Sequence, residues 1–295
     1  MHRWVEVSIK ITPATEEAIT NTFWDLGSNG VIQSGGELSG VTEYVTGYWP
    51  DHSGLSEKLD QIYILWEELK VLGLAYGDCR IKTRQIQEKD WSNKWKQLIE
   101  PVKVSDTLIV APPWSEISRN DGDNLVWINP GTGFGTGGHE TTQLCLKQLE
   151  KRIRLGDRVL DIGSGSGVLS IAAAILGASQ VIGIDLDSET IGNATENIQL
   201  NSVADRVEVY AGNVDHPAVI GSYRIIVSNI NANSLSSLLS AFIHRLQPCG
   251  ILILSGLLVL EAQSFETTLR NHGFTVIDSE TQGEWWAGVA KLTFR

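Results

Sequence analysis

The residues with the clearest chemical potential form the segment 161–167, which reads Asp-Ile-Gly-Ser-Gly-Ser-Gly. Its three glycines, spaced G-x-G-x-G, lack Cβ atoms, so the backbone can turn sharply and approach a ligand closely. The short apolar run before Gly163 predicts a strand covered on both faces, and the longer run over 168–178 predicts a buried helix. A strand, a glycine turn and a helix in this order place a ligand at the carboxyl end of a parallel strand.

Two further polar residues follow predicted strands. The strand predicted over 180–184 ends in Asp185, about 20 residues beyond the glycines, where a carboxylate is placed to accept hydrogen bonds from ribose hydroxyls. Asn229 follows a buried strand predicted over 223–228. Because parallel strands end along one edge of a sheet, we expect Asp185 and Asn229 beside the glycine turn in one crevice.

The residues at and around the glycines argue against two phosphate-binding motifs. The dinucleotide fingerprint is G-x-G-x-x-G/A, and Val168 stands where it requires Gly or Ala. The phosphate loop G-x-x-x-x-G-K-[ST] is matched in its outer glycines by Gly133 and Gly138. His139 and Glu140, however, replace its Lys and Ser/Thr. The dinucleotide fingerprint is therefore disfavoured, and the phosphate loop is not present.

The segment 129–138 remains a glycine-rich stretch that leads into a threonine-capped helix. We expect it to close over a bound ligand as a mobile cover. His139, at its end, is either a base or, as a lone loop histidine more often is, a structural residue.

A G-x-G-x-G turn preceded by an acidic residue, here Asp161, resembles the first motif of class I S-adenosylmethionine-dependent methyltransferases. That cofactor carries an amino-acid end, a sulfonium and a ribose but no phosphate, so its site needs backbone contacts and carboxylates. The competing interpretation is an ordinary α/β turn with a capping aspartate.

The remaining pattern indicates two domains. Strands and helices alternate after residue 158, which predicts a doubly wound parallel α/β sheet. A turn is predicted at 248–250. Two final strands are expected to supply an antiparallel last strand of the sheet. A hairpin is predicted over 102–111. The first 88 residues read βαββαβ, the order of a ferredoxin-like α+β unit, and contain no catalytic constellation. We therefore predict a recognition domain over 1–88, a linker helix over 89–101 and a methyltransferase domain over 102–295.

The composition of the chain limits the classes of partner and the compartment that we expect. The net charge of −12 argues against free nucleic acid and favours a basic protein partner, although acidity also keeps a protein soluble. The three cysteines are far apart and form no C-x-x-C pair, so neither a disulfide framework nor a metal site is indicated. No apolar run reaches the ~20 residues of a membrane span, and the amino terminus lacks a signal-peptide core. We expect a cytoplasmic protein.

With these motifs placed, the chain resembles the ribosomal-protein methyltransferases of the PrmA type. The resemblance runs from about residue 90 to the end, whereas the first 88 residues match only in their predicted order of elements. It is carried by Asp90, Trp91, Trp95, Pro101, the segments 129–131 and 134–137, His139, Thr141, Thr142, the segments 161–167 and 183–185, Asn229, Ile230, Glu284 and Trp285.

The resemblance implies an enzyme that trimethylates lysine and amino-terminal amines of a large-subunit ribosomal protein at the stalk base. It implies S-adenosylmethionine as cofactor, contacted by Thr142, Gly163, Asp185 and Asn229, and the glycine turn adds Gly165. Asn229 is the candidate catalytic residue, because its amide can accept hydrogen bonds from the amine and aim its lone pair. We expect a monomer without direct nucleic-acid contact.

Some residues differ from the family pattern. Asn129, Gly138 and the pair Asn231-Ala232 stand where the family usually has Asp, Thr and Leu-Ala, and Thr132-Gly133 replaces an aliphatic-Ala pair. These positions bear on the substrate more than on the cofactor. The alternatives are a methyltransferase for another protein, a small molecule or nucleic acid, and a non-catalytic module that retains the cofactor.

Overall fold

The computed structural model describes residues 3–12, 14–28, 30–35, 42–50, 54–75, 79–87, 99–118, 120–130 and 137–293. The chain divides into two compact units, Met1–Ile99 and Glu100–Arg295. Most of the linker helix predicted over 89–101 falls on residues 88–98, outside the described part of the chain. The domain boundaries derived from the sequence therefore stay predictions.

The first unit contains a four-stranded sheet whose paired strands all run antiparallel, in the order β2-β3-β1-β4. Its elements are β1 Arg3–Lys10, α1 Glu16–Asp25, β2 Val31–Gly35, β3 Thr42–Pro50, α2 Leu55–Val71 and β4 Ile81–Gln87. Alternate residues of β1, Val5, Val7 and Ile9, share one core with Phe23 of α1 and Trp66 of α2. Both helices thus cover one face, and the ferredoxin-like prediction is confirmed.

The second unit contains the remaining elements. They are β5 Val102–Lys103, β6 Leu108–Ala111, β7 Asn124–Trp127, α3 Glu140–Arg152, β8 Arg158–Ile162, α4 Val168–Ile175, β9 Gln180–Asp185, α5 Ser188–Leu200, β10 Val207–Ala211, β11 Tyr223–Asn229, α6 Ala232–Arg245, β12 Leu246–Leu258, α7 Val259–Asn271, β13 Phe274–Gln282 and β14 Trp285–Leu292. None of the described helices is long and apolar enough to cross a bilayer.

The central sheet has seven strands in the order β10-β9-β8-β11-β12-β14-β13. The first five strands in this order pair in parallel, while β14 runs antiparallel to both of its neighbours. The predicted doubly wound sheet with an antiparallel last strand is confirmed. The strand order reverses between β8 and β11, and such a switch point opens a crevice at the carboxyl ends of the strands.

Helices cover both faces of this sheet because its strands are apolar on both sides. On β8 and β11, Val159 and Ile225 pack into the core formed with α3, α4 and α5. Their neighbours Leu160 and Ile226 pack into the opposite core, formed with α6 and α7. The two cores fix the sheet, so the loops at its carboxyl edge start from rigid positions.

Two local features differ from the sequence-based expectation. The predicted hairpin of β5 and β6 is present, but β7 adds to β6 in parallel and makes a small three-stranded sheet that was not predicted. The turn predicted over 248–250 lies inside β12. There the register shifts, since Tyr223 pairs with Leu246 but Ile225 with Ile251, and Cys249 adopts a φ of 62°. The segment is an irregularity inside a strand, with more residues of β12 than of β11 between the two pairs, and not a turn between elements.

One carboxylate lies in the centre of the sheet. Asp161 of β8 is fully buried, Ser170 Oγ donates to its Oδ2 at 2.7 Å, and its Oδ1 has no hydrogen-bond partner in the structure. Burial raises the pKa of Asp161 to about 7, the Asp185 carboxylate adds to the increase, and the hydrogen bond from Ser170 opposes it. The folded protein therefore holds a proton here that the unfolded chain releases near pH ~3.9.

This buried group predicts a pH-dependent loss of stability. Between pH ~4 and ~7 the folded state binds more protons than the unfolded state, so this group makes the free energy of unfolding fall as pH rises, with no further change above the folded pKa. Asp161→Asn removes this contribution. The stability of the variant relative to the parent, measured by urea unfolding, should rise across that window. The exposed Asp205→Asn controls for the change in net charge, and a difference independent of pH would contradict the assignment.

Candidate functional site

The glycine turn joins β8 to α4 at the carboxyl edge of the sheet. Gly163, Gly165 and Gly167 have φ values of 79°, 49° and 82°, in the left-handed region that favours glycine. A Cβ on Gly163 would lie 2.5 Å from Cγ2 of Ile230. The backbone N–H groups of Gly163 and Ser164 both donate to the carbonyl of Ile184, at 2.8 and 3.1 Å. Both conformation and space therefore require glycine at position 163.

Asp185 connects this turn to the next strand. Its Oδ2 accepts the backbone N–H of Gly165 at 2.7 Å, and its Oδ1 accepts that of Asp187 at 3.0 Å. A carboxylate oxygen has two lone pairs, so each oxygen keeps acceptor capacity for a hydroxyl group. The side chain is half-buried and lines the crevice. Asp185 thus holds the glycine turn and presents charge to a ligand.

Asn229, at the end of β11, is bonded to the start of α3. Its Nδ2 donates to Oγ1 of Thr141 at 3.1 Å and to Oγ1 of Thr142 at 3.3 Å. His139 is the N-cap of this helix, since its Nδ1 accepts the backbone N–H of Thr141. The His139 ring also packs edge-on against Trp285, with ring centroids 4.9 Å apart. This arrangement supports the structural interpretation of His139.

All five residues predicted for the site line a single cavity. Its volume is about 540 Å³, within the ~300–1,000 Å³ typical of small-molecule sites. The five are Thr142, Gly163, Gly165, Asp185 and Asn229. Asp161 and Gly167 are not part of the lining. Asp161 instead lies beneath the turn, in the core of the sheet.

The residues that line the cavity indicate which class of ligand it can bind. Among the described residues that line the cavity, none is a lysine, arginine or histidine, so a phosphate group would find no cationic partner. Apolar walls, glycine backbone and the Asp185 carboxylate suit a ligand with a ribose and an apolar ring. Leu186, which follows Asp185, is 83% exposed although it is apolar, and a ligand in the cavity would cover it. These residues therefore fit S-adenosylmethionine.

An asparagine contact that the sequence analysis missed ties the glycine turn to the segment before the proposed cover. Asn197 of α5 is fully buried, its Oδ1 accepts the N–H of Asn129 at 2.8 Å, and its Nδ2 donates to the carbonyl of Ser166 at 3.0 Å. One turn further along α5, Asn201 bonds both backbone groups of Trp127. The only signal in the sequence is asparagine at a four-residue spacing, and it does not reveal these distant partners.

The cover predicted over 129–138 is described only at its two ends. Asn129 is held by α5, and at the other end a Cβ on Gly137 would lie 2.6 Å from Cγ1 of Val110. Residues 131–136 lie outside the described part of the chain. The closing motion stays a prediction.

Comparison with known proteins identifies relatives along the whole chain. The family model described as ribosomal protein L11 methyltransferase (PrmA) matches residues 3–293. A ribosomal protein L11 methyltransferase of Alkaliphilus oremlandii is 35% identical over 310 residues, which cover 98% of this chain and 99% of that protein. One from Streptococcus thermophilus is 32% identical over 309 residues, covering 99% and 97%.

A solved structure is also similar. The crystal structure of ribosomal protein L11 methylase from Lactobacillus delbrueckii subsp. bulgaricus superposes with a TM-score of 0.61 at 28% identity. The match covers 65% of this chain and 98% of that one. The sequence and structure comparisons thus point to the same family.

Gly163 in the glycine turn and Gly273 after α7 form a matched pair of positions for substitution. Gly163→Ala combines a positive φ with a collision against Ile230, whereas Gly273→Ala has nearly the same φ, 81°, with nothing within 4 Å of the new Cβ. Gly163→Ala should weaken S-adenosylmethionine binding at least about tenfold, or 1.4 kcal/mol, because the turn must move. Gly273→Ala should lower the stability of the protein and leave its affinity for S-adenosylmethionine unchanged. Calorimetric titration of both variants checks this, and equal affinities would contradict it.

The carboxylate of Asp185 gives a second prediction. Asp185→Ala should weaken cofactor binding by roughly 1–3 kcal/mol, the scale of a lost charge-assisted hydrogen bond. Asp185→Asn keeps the shape but sets its N–H₂ group against the backbone N–H of either Gly165 or Asp187, so it should also bind the cofactor less tightly than the parent. Isothermal titration measures both affinities. An alanine variant that binds the cofactor as tightly as the parent would show that Asp185 does not contact it.

Proposed function

The chain belongs to the ribosomal protein L11 methyltransferase (PrmA) family, and on that premise we propose that it transfers methyl groups from S-adenosylmethionine to amino groups of ribosomal protein L11. The observation that carries the proposal is the meeting of Gly163, Asp185 and Asn229 along one cavity at the switch point of the sheet. The names of the relatives supply the substrate.

The cavity residues provide the cofactor half of the proposed site. S-adenosylmethionine supplies an activated methyl group on a positively charged sulfur. Asp185 accepts hydrogen bonds from ribose hydroxyls, and the backbone at Gly163 and Gly165 allows close approach. Apolar side chains such as Leu169 and Ile184 exclude water from the cavity walls.

Asn229 orients the incoming amine. A lysine amine attacks only when neutral, although its ordinary pKa is about 10.4, and a poorly solvated cavity lowers the pKa of an amine that enters it. Because Nδ2 of Asn229 is bonded to Thr141 and Thr142, its Oδ1 is left to accept an N–H of the amine. Asn229 would thus hold the amine with its lone pair free to take the methyl group that bound S-adenosylmethionine would supply, and the extra proton of the amine would leave to water.

This mechanism depends on placement and not on a general base. In-line displacement gains most from holding two reactants at the correct distance and angle, which can contribute several kcal/mol to the barrier. The three strands that carry the site are buried on both faces, so they hold Asn229 and Asp185 firmly. The hydrogen bond to Asn229 serves the first two methylations of one nitrogen, because a neutral amine that carries two methyl groups has no N–H left to donate.

We also propose a role for the first unit, a partner class, an oligomeric state and a cellular location for the protein. Residues 1–88 recruit the protein substrate, since the motifs with recognisable chemistry lie after Asn129. The net charge of −12 suits a basic ribosomal protein as partner and disfavours direct contact with nucleic acid. The enzyme acts as a monomer in the cytoplasm, where ribosomal proteins are available.

Truncation tests whether the first unit recruits the substrate while the second unit binds the cofactor and transfers the methyl group. A variant that begins at Glu100 keeps the second compact unit, so it should bind S-adenosylmethionine with the affinity of the full chain. Its methylation of L11 should be slower by roughly 10²–10⁴-fold, because the recruiting domain raises the effective concentration of the target amine. Radiolabelled methyl transfer to purified L11 measures the rate.

The same assay tests the substrate. Purified L11, ribosomal RNA and a pool of other ribosomal proteins are each offered with labelled cofactor, and mass spectrometry locates the methyl groups. We expect label on lysine or amino-terminal nitrogens of L11. Label confined to RNA or to another protein would refute L11 as the substrate, and truncation without loss of rate would refute the recruiting role.

A further inference from the structure

A row of hydrogen bonds connects Asn229 to the N-cap of α3. His139 Nδ1 lies 2.8 Å from Oγ1 of Thr141, and that oxygen lies 3.1 Å from Nδ2 of Asn229. Thr141 is 1% exposed and is absent from the cavity lining. It therefore lies behind Asn229, bonded to that residue, and lines neither the cavity nor the protein surface. The sequence pattern alone indicates no role for it.

The hydrogen bonds in this row have a defined order of donors and acceptors, and the tautomer of His139 sets that order. The Nδ1 atom accepts the backbone N–H of Thr141, so it carries a lone pair and the imidazole proton is on Nε2. A hydroxyl beside this lone pair donates its only hydrogen to it. Oγ1 of Thr141 then has only lone pairs to offer to Asn229. An amide facing lone pairs must present its N–H₂ group, which turns its Oδ1 the other way.

We propose that Thr141 is a positioning residue: held by His139, it fixes the Asn229 amide so that Oδ1 faces the substrate amine. The inference rests on the proposed function, in which that oxygen orients the attacking nitrogen. Without Thr141, the amide can rotate by half a turn and present its N–H₂ group to the amine. Two donors would then face each other, and the lone pair of the amine would not point at the methyl group.

The Thr142 hydroxyl does not replace this control. It lies 3.3 Å from Nδ2 of Asn229, but it can equally donate to Oδ1 if the amide turns over. Of the two threonines, Thr141 is the one whose hydroxyl hydrogen is committed to a histidine lone pair. The orientation of Asn229 thus depends on position 141, although position 142 is the one that lines the cavity.

The first experiment observes the amide itself and needs no substrate. In ¹⁵N-labelled full-length protein, the side-chain N–H₂ signals of Asn229 are identified by their absence in Asn229→Asp. Exchange of these hydrogens with water should be slow in the parent and faster by at least about tenfold in Thr141→Val, which has the same shape without the hydroxyl. Thr141→Ser should restore slow exchange. Thr195→Val, on another helix of the same unit, is the control for loss of a threonine hydroxyl.

A second variant separates positioning from helix capping. His139→Gly keeps a residue that is tolerated at an N-cap, so the helix start is preserved, but it removes the side-chain acceptor beside Thr141. If His139 only caps the helix, this variant will exchange like the parent. We expect it to resemble Thr141→Val, and parent-like exchange in both variants would overturn the proposal.

Kinetics test the consequence for catalysis. Thr141→Val should lower kcat for L11 methylation about tenfold, while KM for L11 and Kd for S-adenosylmethionine stay within about twofold. Thr141→Ser should recover most of kcat. A parent that does not methylate L11 refutes the proposed function but leaves the exchange result valid. An active parent with an equally active valine variant overturns the positioning role.

Discussion

One carboxylate holds the ligand-binding edge of this protein together. Asp185 accepts the backbone N–H of Gly165 from the neighbouring turn and that of Asp187 from its own turn, so two strand ends are joined through a single side chain. Such charge-assisted hydrogen bonds are short and about twice as strong as neutral ones. The same side chain lines the cavity, so the group that shapes the glycine turn also presents negative charge to a ligand.

The third strand end is fixed in a different way. Asn229 is bonded through its amide to Thr141 and Thr142, at the start of a helix that precedes the glycine turn in the chain. The fold therefore brings together residues separated by nearly 90 positions in the chain, and in the proposed function the distance between cofactor and amine follows from strand spacing. Precise placement without a general base is what a methyl transfer to an amine requires.

Much of this arrangement could be predicted from short-range patterns. The doubly wound sheet, the ferredoxin-like unit and the residues Gly163, Asp185 and Asn229 all follow from apolar runs and from polar residues at strand ends. These signals lie within a few residues of one another, and buried parallel strands are apolar enough to be recognised.

Other features depend on partners distant in the sequence. The bonds of Asn197 to Asn129 and Ser166 are not visible in any local pattern, nor is the parallel addition of β7 to β6. A proline and a glycine around Cys249 suggested a turn between elements, but β11 pairs with β12 on both sides of that segment, so it is an irregularity inside a strand. The role proposed for Thr141 could not be predicted, because it depends on a histidine and an asparagine that meet only in the folded chain.

We propose that the cofactor lies along the edge defined by Asp185 and Asn229. A crystal structure of the full chain with S-adenosylhomocysteine tests this placement. We expect ribose hydroxyls at hydrogen-bond distance, about 2.5–3.0 Å, from the Asp185 carboxylate, with the sulfur at the Asn229 end of the cavity. A ligand bound elsewhere, or one whose sulfur points away from Asn229, would contradict it.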